Sequence, residues 1–311
     1  MSLTLVVPVY RNECSIPELI DAIGKLHQDI GGAFEVVFVI DGSPDRCYEI
    51  LREALPSCPY ASQLILLSRN FGAFAAIRAG MAAGNGEYFA VMAADLQEPP
   101  ELVIKMGRIL REGETDIIVA VREGRADPLL TRLPAAIFWG FYRRFVVPEV
   151  PPGGVDIFAC NRAFRDQLLQ MEERHSSLIA QIFWLGFRRK FIGYERKQRQ
   201  HGTSAWTLHK KINYLMDSVF SFTDLPIRLL IRVGGVTAMF SGLFGIIVLL
   251  ARLFGGIDVP GYSAIILMVV FFGALNLFAL GIVGSYAWRT YENTKARPLH
   301  VILRQHEFNL K

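Results

Sequence analysis

Over the first 205 residues, short apolar runs alternate with longer stretches in which apolar residues recur every third or fourth position. The runs Leu3–Val9, Glu35–Ile40, Gln63–Ser68, Tyr88–Ala93 and Asp116–Val121 have strand length, and helical periodicity fills the gaps at Ile16–Gly31, Arg46–Leu55, Phe74–Ala83 and Pro100–Glu112. Strand–helix alternation of this kind, at roughly 20–30 residues per unit, predicts an α/β fold with a mostly parallel sheet covered on both faces. In such sheets ligands sit beyond the carboxyl ends of the strands.

The pattern changes after residue 205. Val233–Ala251 (19 residues) and Ala264–Trp288 (25 residues) carry no charge. Crossing about 30 Å of hydrocarbon takes roughly 20 helical residues, so both are long enough to span a bilayer. The Gly/Pro-rich connector Arg252–Ser263 makes them a hairpin, and Gly234, Gly235, Gly242, Gly245, Gly273, Gly281 and Gly284 are expected to let the helices pack closely. Ahead of them, Leu208, Ile212, Leu215, Val219 and Phe222 line one face of an amphipathic segment, Leu208–Leu225, which suits the membrane interface. The expected division is a domain over 1–205, an interfacial segment over 206–228, and two transmembrane helices (about 233–251 and 264–288) with a tail over 229–311.

Charge follows the same division. The chain has 33 Lys+Arg and 29 Asp+Glu, a net +4, and 52% of its 311 residues are hydrophobic, which excludes a disordered or fibrous protein. Residues 1–205 hold 23 basic and 24 acidic side chains, and the remaining +5 lies in 206–311. Lys210, Lys211, Arg228 and Arg232 precede the first span and Arg289, Lys295, Arg297 and Arg304 follow the second, whereas Arg252 in the connector is offset by Asp258. The positive-inside rule therefore places the N-terminal domain and both termini in the cytoplasm. Leu3–Val9, which carries Pro8, is too short for a secretory signal. Cys14, Cys47, Cys58 and Cys160 lack metal-ligand spacing and suit a reducing compartment.

Polar residues gather where the predicted strands end: Pro8–Glu13, Asp41–Asp45, Arg69–Gly72 and Asp95–Pro100. Each alone could be turn or cap chemistry, but four in succession on one rim point to a site. There is no P-loop and no G-x-G-x-x-G, so a nucleotide would be held by carboxylates and a metal rather than by a glycine cradle. Beyond the fifth strand, Arg122 and Arg125 are followed by Arg132, Arg143 and Arg144, whose guanidinium forks suit phosphate or, alternatively, anionic lipid.

The segments PVYRNE (8–13), DGSPD (41–45), LSRNFG (67–72), AADLQEPPEL (93–102), VDIFACNR (155–162), RQHGTSAW (199–206) and YENTKARP (291–298) resemble the motif series of family-two glycosyltransferases. The similarity is to the polyprenyl-phosphate branch, which includes dolichol-phosphate mannose synthase, in the bacterial form with two C-terminal transmembrane helices. It covers the whole chain. The resemblance implies a GT-A fold that passes a sugar, with inversion, from a UDP- or GDP-sugar to undecaprenyl phosphate at the cytoplasmic face of the inner membrane. It implies Pro8, Tyr10, Glu13, Asp41, Arg69, Asp95 and Gln97 on the nucleotide-sugar, with Asp95 and Gln97 also holding Mg²⁺ or Mn²⁺. Asp95 and Asp156 would be catalytic, Asp156 as an acceptor-side base or positioner. Arg122, Arg125, Arg199 and Ser204 would hold the acceptor phosphate, and Arg196–Trp206 would form a mobile loop over the diphosphate.

Three departures stand out. Ala93 replaces the first carboxylate of the family's usual Asp-x-Asp, Ile40 precedes Asp41 where a second Asp is common, and Ala205 replaces a lysine. Two other readings stay open: a glycosyltransferase for another lipid or glycan acceptor, and an inactive membrane-anchored nucleotide-sugar-binding protein. The expected partners are donor, lipid acceptor and bilayer. The chain is compatible with a homo-oligomer, and nothing in it suggests nucleic acid.

Overall fold

A computed structural model describes the chain except residues 1, 124–137, 152, 153, 156, 197–207, 255–260, 310 and 311. The chain divides into two compact units, Met1–Lys211 with Pro298–Lys311, and Ile212–Arg297.

The first unit is built on an eight-stranded sheet: β1 (Leu3–Val9), β2 (Phe34–Ile40), β3 (Ala61–Leu67), β4 (Tyr88–Val91), β5 (Ile117–Arg122), β6 (Phe158–Asn161), β7 (Arg189–Tyr194) and β8 (Ile302–Phe308). The strand order is β7-β5-β6-β4-β1-β2-β3-β8. Pairings β1–β2, β1–β4, β2–β3 and β5–β7 are parallel, while β6 lies antiparallel between β4 and β5, and β8 antiparallel on β3. Six strands thus end on one rim.

Helices α1 (Ile16–Ile30), α2 (Cys47–Ala54), α3 (Ala73–Ala83) and α4 (Glu101–Arg111) fill the crossovers. Ile16, Leu19, Ile23 and Leu26 recur at helical spacing on α1 and enter the main core with Leu102, Val103, Met106 and Leu110 of α4. On the opposite face, Ala76 and Ala79 of α3 pack on Val37, Val39, Ile65 and Leu67. With both faces covered, β2 (FEVVFVI) is buried at every position, which is why it reads as one continuous apolar run. Residues 138–145 are helical (α5), followed by α6 (Arg162–Gln170), capped by Asn161 Oδ1 accepting the Phe164 amide, and α7 (Leu178–Trp184).

Strands β6, β7 and β8 go beyond the sequence-based elements. The most consequential is β8. Residues expected to trail after the second span return to the sheet, pairing Ser62 with Phe308 through Leu67 with Ile302. Gln305 donates to Gln63 Oε1 at 3.0 Å, and the Asn309 amide donates to Leu55 O and Cys58 O.

In the second unit, α8 (Leu208–Phe222) leads into α9 (Leu225–Leu253) and α10 (Tyr262–Thr294). Asp217 and Arg289 form an ion pair at 2.8 Å, and the Phe220 and Tyr286 rings lie 5.0 Å apart, tying α8 to α10. Of the apolar face expected on α8, Val219 is buried and Ile212 exposed. The stretches Leu225–Phe244 and Phe271–Thr294 are long and apolar enough to cross a membrane. Large apolar side chains face outward along both, as hydrocarbon contact requires. Among the described residues, a Cβ at Gly234, Gly235, Gly242, Gly273, Gly281 or Gly284 would have nothing within 4 Å.

Candidate active site

The rim is assembled by loops that clasp one another. After β1, the Arg11 amide donates to Ser43 Oγ at 2.8 Å and the Glu13 amide to Asp45 Oδ2 at 3.2 Å. In return, the Arg46 amide at the start of α2 donates to Glu13 Oε2 at 3.1 Å. Glu13, expected on the nucleotide, therefore also locks the β1 and β2 loops together. Burial opposes the charge of Asp45, but hydrogen bonds from Cys47, Ser43 and the Glu13 amide hold its carboxyl below the ordinary range. The neighbouring Cys47 thiol, buried and beside that carboxylate, is pushed up to about 12.

The β2 and β3 loops are joined more tightly. Asp41 is buried, and its oxygens accept the amides of Phe71 at 2.7 Å and Gly72 at 2.8 Å. Gly72 is the N-cap residue of α3 and Phe71 precedes it, so Asp41 holds the chain at the entry to that helix from another loop. Asn70 Nδ2 donates back to Asp41 O. Gly42, at φ 56°, brings the two backbones together: a Cβ there would fall 2.2 Å from the Arg69 carbonyl carbon. This arrangement presents Arg69, exposed at the rim and stacked over Phe71 at 4.1 Å. Tyr10, half-buried beside Pro8, lies under the Arg11 guanidinium at 5.4 Å.

After β4 comes the Asp95 turn. The Gln97 amide points to Asp95 Oδ1 at 3.4 Å, and Leu96 adopts φ 52°. A left-handed conformation costs a non-glycine residue about 1–2 kcal/mol, and such strain concentrates at functional sites. Arg11, at φ 56°, is strained in the same way on the same rim. The groove between α1 and α4 that reaches Asp95 is lined by Glu18, Asp21, Asp29 and Glu101 against one lysine, Lys25. That charge set repels a diphosphate and leaves the open rim for it.

Neither Arg196 nor Glu98 was named individually as a site residue, although Arg196 opens the loop expected over the diphosphate. Strand β7, parallel to β5, delivers Arg196 to the rim. Its Nη2 donates to Gln97 Oε1 at 2.5 Å, and its Nε lies 3.6 Å from Glu98 Oε1. A Y-E-R sequence gives no signal of this; only the missing strand could have supplied it. Arg122 ends β5 at the same rim, half-buried, with the next amide, that of Glu123, bound to Tyr194 O. Asp156, Arg125, Arg132, Arg199, Ser204 and most of Arg196–Trp206 lie outside the described residues.

The model of glycosyl transferase family 2 matches residues 4–171, more than half of the chain. The chain belongs to this family. It is a glycosyltransferase, and its sheet is of the GT-A type. It is similar, at 32% identity over 305 residues, to an undecaprenyl-phosphate 4-deoxy-4-formamido-L-arabinose transferase of Pseudomonas paraeruginosa, covering 97% of this chain and 89% of the relative. It is 28% identical to a prophage bactoprenol glucosyl transferase homolog of Escherichia coli, covering 98% and 99%. These full-length relatives belong to the polyprenyl-phosphate branch that the motifs resemble. Among solved structures, mannosyl-3-phosphoglycerate synthase from Rubrobacter xylanophilus is similar with a TM-score of 0.47 at 15% identity, over 76% of this chain and 75% of that one.

Glycosyltransferases of this family generally use a divalent metal. The residues present fit an ion that arrives with the nucleotide better than one held beforehand. Asp95 is the one carboxylate left of the usual pair, Gln97 Oε1 accepts from Arg196, and among the described residues no three His, Cys, Asp or Glu side chains converge. Mg²⁺ commonly keeps most of its ligands from water and substrate phosphates, so one carboxylate suffices for that mode.

Proposed function

We propose that this glycosyltransferase moves a sugar, with inversion, from a UDP- or GDP-sugar to undecaprenyl phosphate at the cytoplasmic face of a bacterial inner membrane. The observation that carries this reading is the β3–β8 pairing. The chain leaves the catalytic unit for two membrane-length helices and returns to the same sheet. That return supports a topology in which the first unit and residues 298–311 lie on one side, with an even number of crossings between them. The positive-inside rule makes that side the cytoplasm. A polyprenyl tail cannot leave the bilayer, and a domain tethered before and after its anchor stays at the interface to meet it.

In the proposed reaction a phosphate oxygen of the acceptor attacks the anomeric carbon as the bond to the nucleoside diphosphate breaks on the opposite face. The acceptor is largely ionised at neutral pH, so no proton must be removed and positioning outweighs general-base catalysis. The Asp41-held loop shapes the nucleoside end with Pro8, Tyr10 and Glu13, and Arg69 and Arg122 face developing and acceptor phosphate charge. Asp95, with the diphosphate oxygens and Gln97, would hold Mg²⁺ or Mn²⁺, which neutralises the leaving group. Asp156, Arg199 and Ser204 keep the acceptor-side roles that the family resemblance gives them, and Arg125 the phosphate-holding role suggested by its place after β5 in the sequence.

The test incubates membranes containing the protein with radiolabelled UDP- and GDP-sugars, undecaprenyl phosphate, and Mg²⁺ or Mn²⁺. Labelled lipid that resists alkali and is cleaved by mild acid is the expected product. Label in a lipid lacking the phosphate linkage, or no turnover with any donor, overturns the proposal.

A further inference from the structure

The turn after β4 carries a cation as well as an anion. Glu98 is 2% exposed and the Arg196 side chain 28%. A carboxylate buried that deeply is costly unless a cation and hydrogen bonds compensate it. Arg196 supplies the cation, Nε to Oε1 at 3.6 Å. That separation is an ion pair but too long for a hydrogen bond, and among the described residues Arg196 Nε has no hydrogen-bond partner. Gln97 takes one Nη2 donor. A guanidinium has five N–H donors in a rigid fork, so the pairing with Glu98 and Gln97 anchors the group while leaving donors to give. Tyr194, buried immediately upstream, fixes the base of the segment through its carbonyl to the Glu123 amide at 2.8 Å. At the same turn Ala93 takes away a carboxylate, which lowers the local attraction for a divalent ion.

We propose that Arg196, presented by Glu98 and Gln97, is a donor-diphosphate-binding residue that lets this chain hold a nucleoside diphosphate before any divalent ion is bound. The inference rests on the nucleotide-sugar reading of the rim. It deepens that reading by dividing the countercharge to the diphosphate between a fixed guanidinium and an ion that enters with the donor. A planar fork matches two phosphate oxygens, which an ammonium cannot do, so lysine at this position should serve only in part.

The experiment measures equilibrium binding of UDP, GDP, UMP and GMP to the full chain in detergent micelles, in EDTA and then in Mn²⁺. One diphosphate is expected to bind in EDTA. Arg196→Ala should weaken it about tenfold or more, the usual scale for losing a charged hydrogen bond. Arg196→Lys should recover part of the loss, Glu98→Gln should weaken the same nucleotide less than Arg196→Ala, and the matching monophosphate should be unaffected by all three. Diphosphate binding that requires Mn²⁺ in the wild type, or equal losses of mono- and diphosphate in both Arg196 variants, overturns the inference and leaves the donor reading standing. No nucleotide binding in either condition counts instead against the proposed function.

Discussion

Asp41 Oδ2 accepts the Gly72 amide at 2.8 Å, joining the end of β2 to the first turn of α3. Asp41→Asn replaces one of the two acceptor oxygens by an NH₂ group, so either the Phe71 or the Gly72 backbone amide loses its acceptor. An unmet donor and a lost charge should cost about 1–3 kcal/mol. For a unit of this size that corresponds to roughly 2–4 °C in Tm per kcal/mol. Thermal unfolding of the full chain checks it, and donor affinity should fall in parallel because the Arg69 loop loses its tether.

Gly42 and Gly31 both hold positive φ, 56° and 60°, but their surroundings differ. At Gly31 a Cβ meets nothing within 4 Å, so Gly31→Ala should cost only the left-handed strain, about 1–2 kcal/mol. At Gly42 the Cβ falls 2.5 Å from the Asn70 amide nitrogen as well as onto Arg69. Gly42→Ala should therefore separate the two rim loops, with a larger stability loss and at least about tenfold weaker donor binding, of which Gly31→Ala shows none.

The Arg188 side chain donates to both oxygens of Asp116, at 2.9 and 3.0 Å, its backbone amide adds a bond at 3.2 Å, and Asn161 adds a fourth. These bonds hold the Asp116 carboxyl below its ordinary value of 3.8, against its own burial. A depressed carboxylate stabilises the fold above its unfolded pKa and loses that contribution as pH falls through the folded value. Wild type should exceed Asp116→Asn in urea-unfolding stability at pH 6–7, and the gap should close on acidification below about pH 4. A gap independent of pH would show that the pair's charge is not responsible.

Cysteine reactivity should divide sharply. Cys14 is exposed, whereas Cys47 is buried with its thiol pushed up to about 12. Only the thiolate alkylates. Iodoacetamide at pH 8 followed by peptide mass spectrometry should find Cys14 modified in the folded chain and Cys47 only after denaturation.

The return of β8 makes a topological prediction. A fluorescent protein fused after Lys311 should fold and fluoresce in bacteria, and a phosphatase fused there should be inactive, with the reverse for fusions in the connector 255–260. Removing residues 299–311 should expose the β3 edge, lower Tm and promote aggregation, because an uncovered strand is a pairing surface. Unchanged melting of the truncated chain would contradict the packing seen at Gln63 and Leu64.

The local pattern carried much of this architecture. Strand β1 spans Leu3–Val9 as the apolar run does, and α1 to α4 lie within a residue or so of their periodic stretches. Buried parallel strands write their burial directly into composition, and amphipathic helices into period. Strands β6 and β7 left weaker marks. Phe158–Asn161 has only four residues, and Arg189–Tyr194 is an edge strand rich in charge and partly exposed. Edge strands carry such residues to avoid wrong pairing, which erases the apolar signature.

The same contrast separates the parts of the site. The loops at the ends of β1 to β4, and with them Asp41, Arg69, Asp95 and Gln97, were legible because turn chemistry and motif spacing are local. The two membrane-length helices were legible for a similar reason: hydrocarbon demands an uncharged run, and that demand is met residue by residue. Whether Glu98 meets Arg196, whether Asp41 holds the chain entering α3, and whether the tail turns back onto β3 depended on partners 98, 31 and more than 230 positions away. Long-range pairing is chosen by the closing of the sheet and the burial of charge, energies that no short window of sequence contains. The sequence alone determined the first five strands, the helices between them, the rim and the two membrane-length helices; only the tertiary structure decided the remaining strands and which charges face one another across that rim.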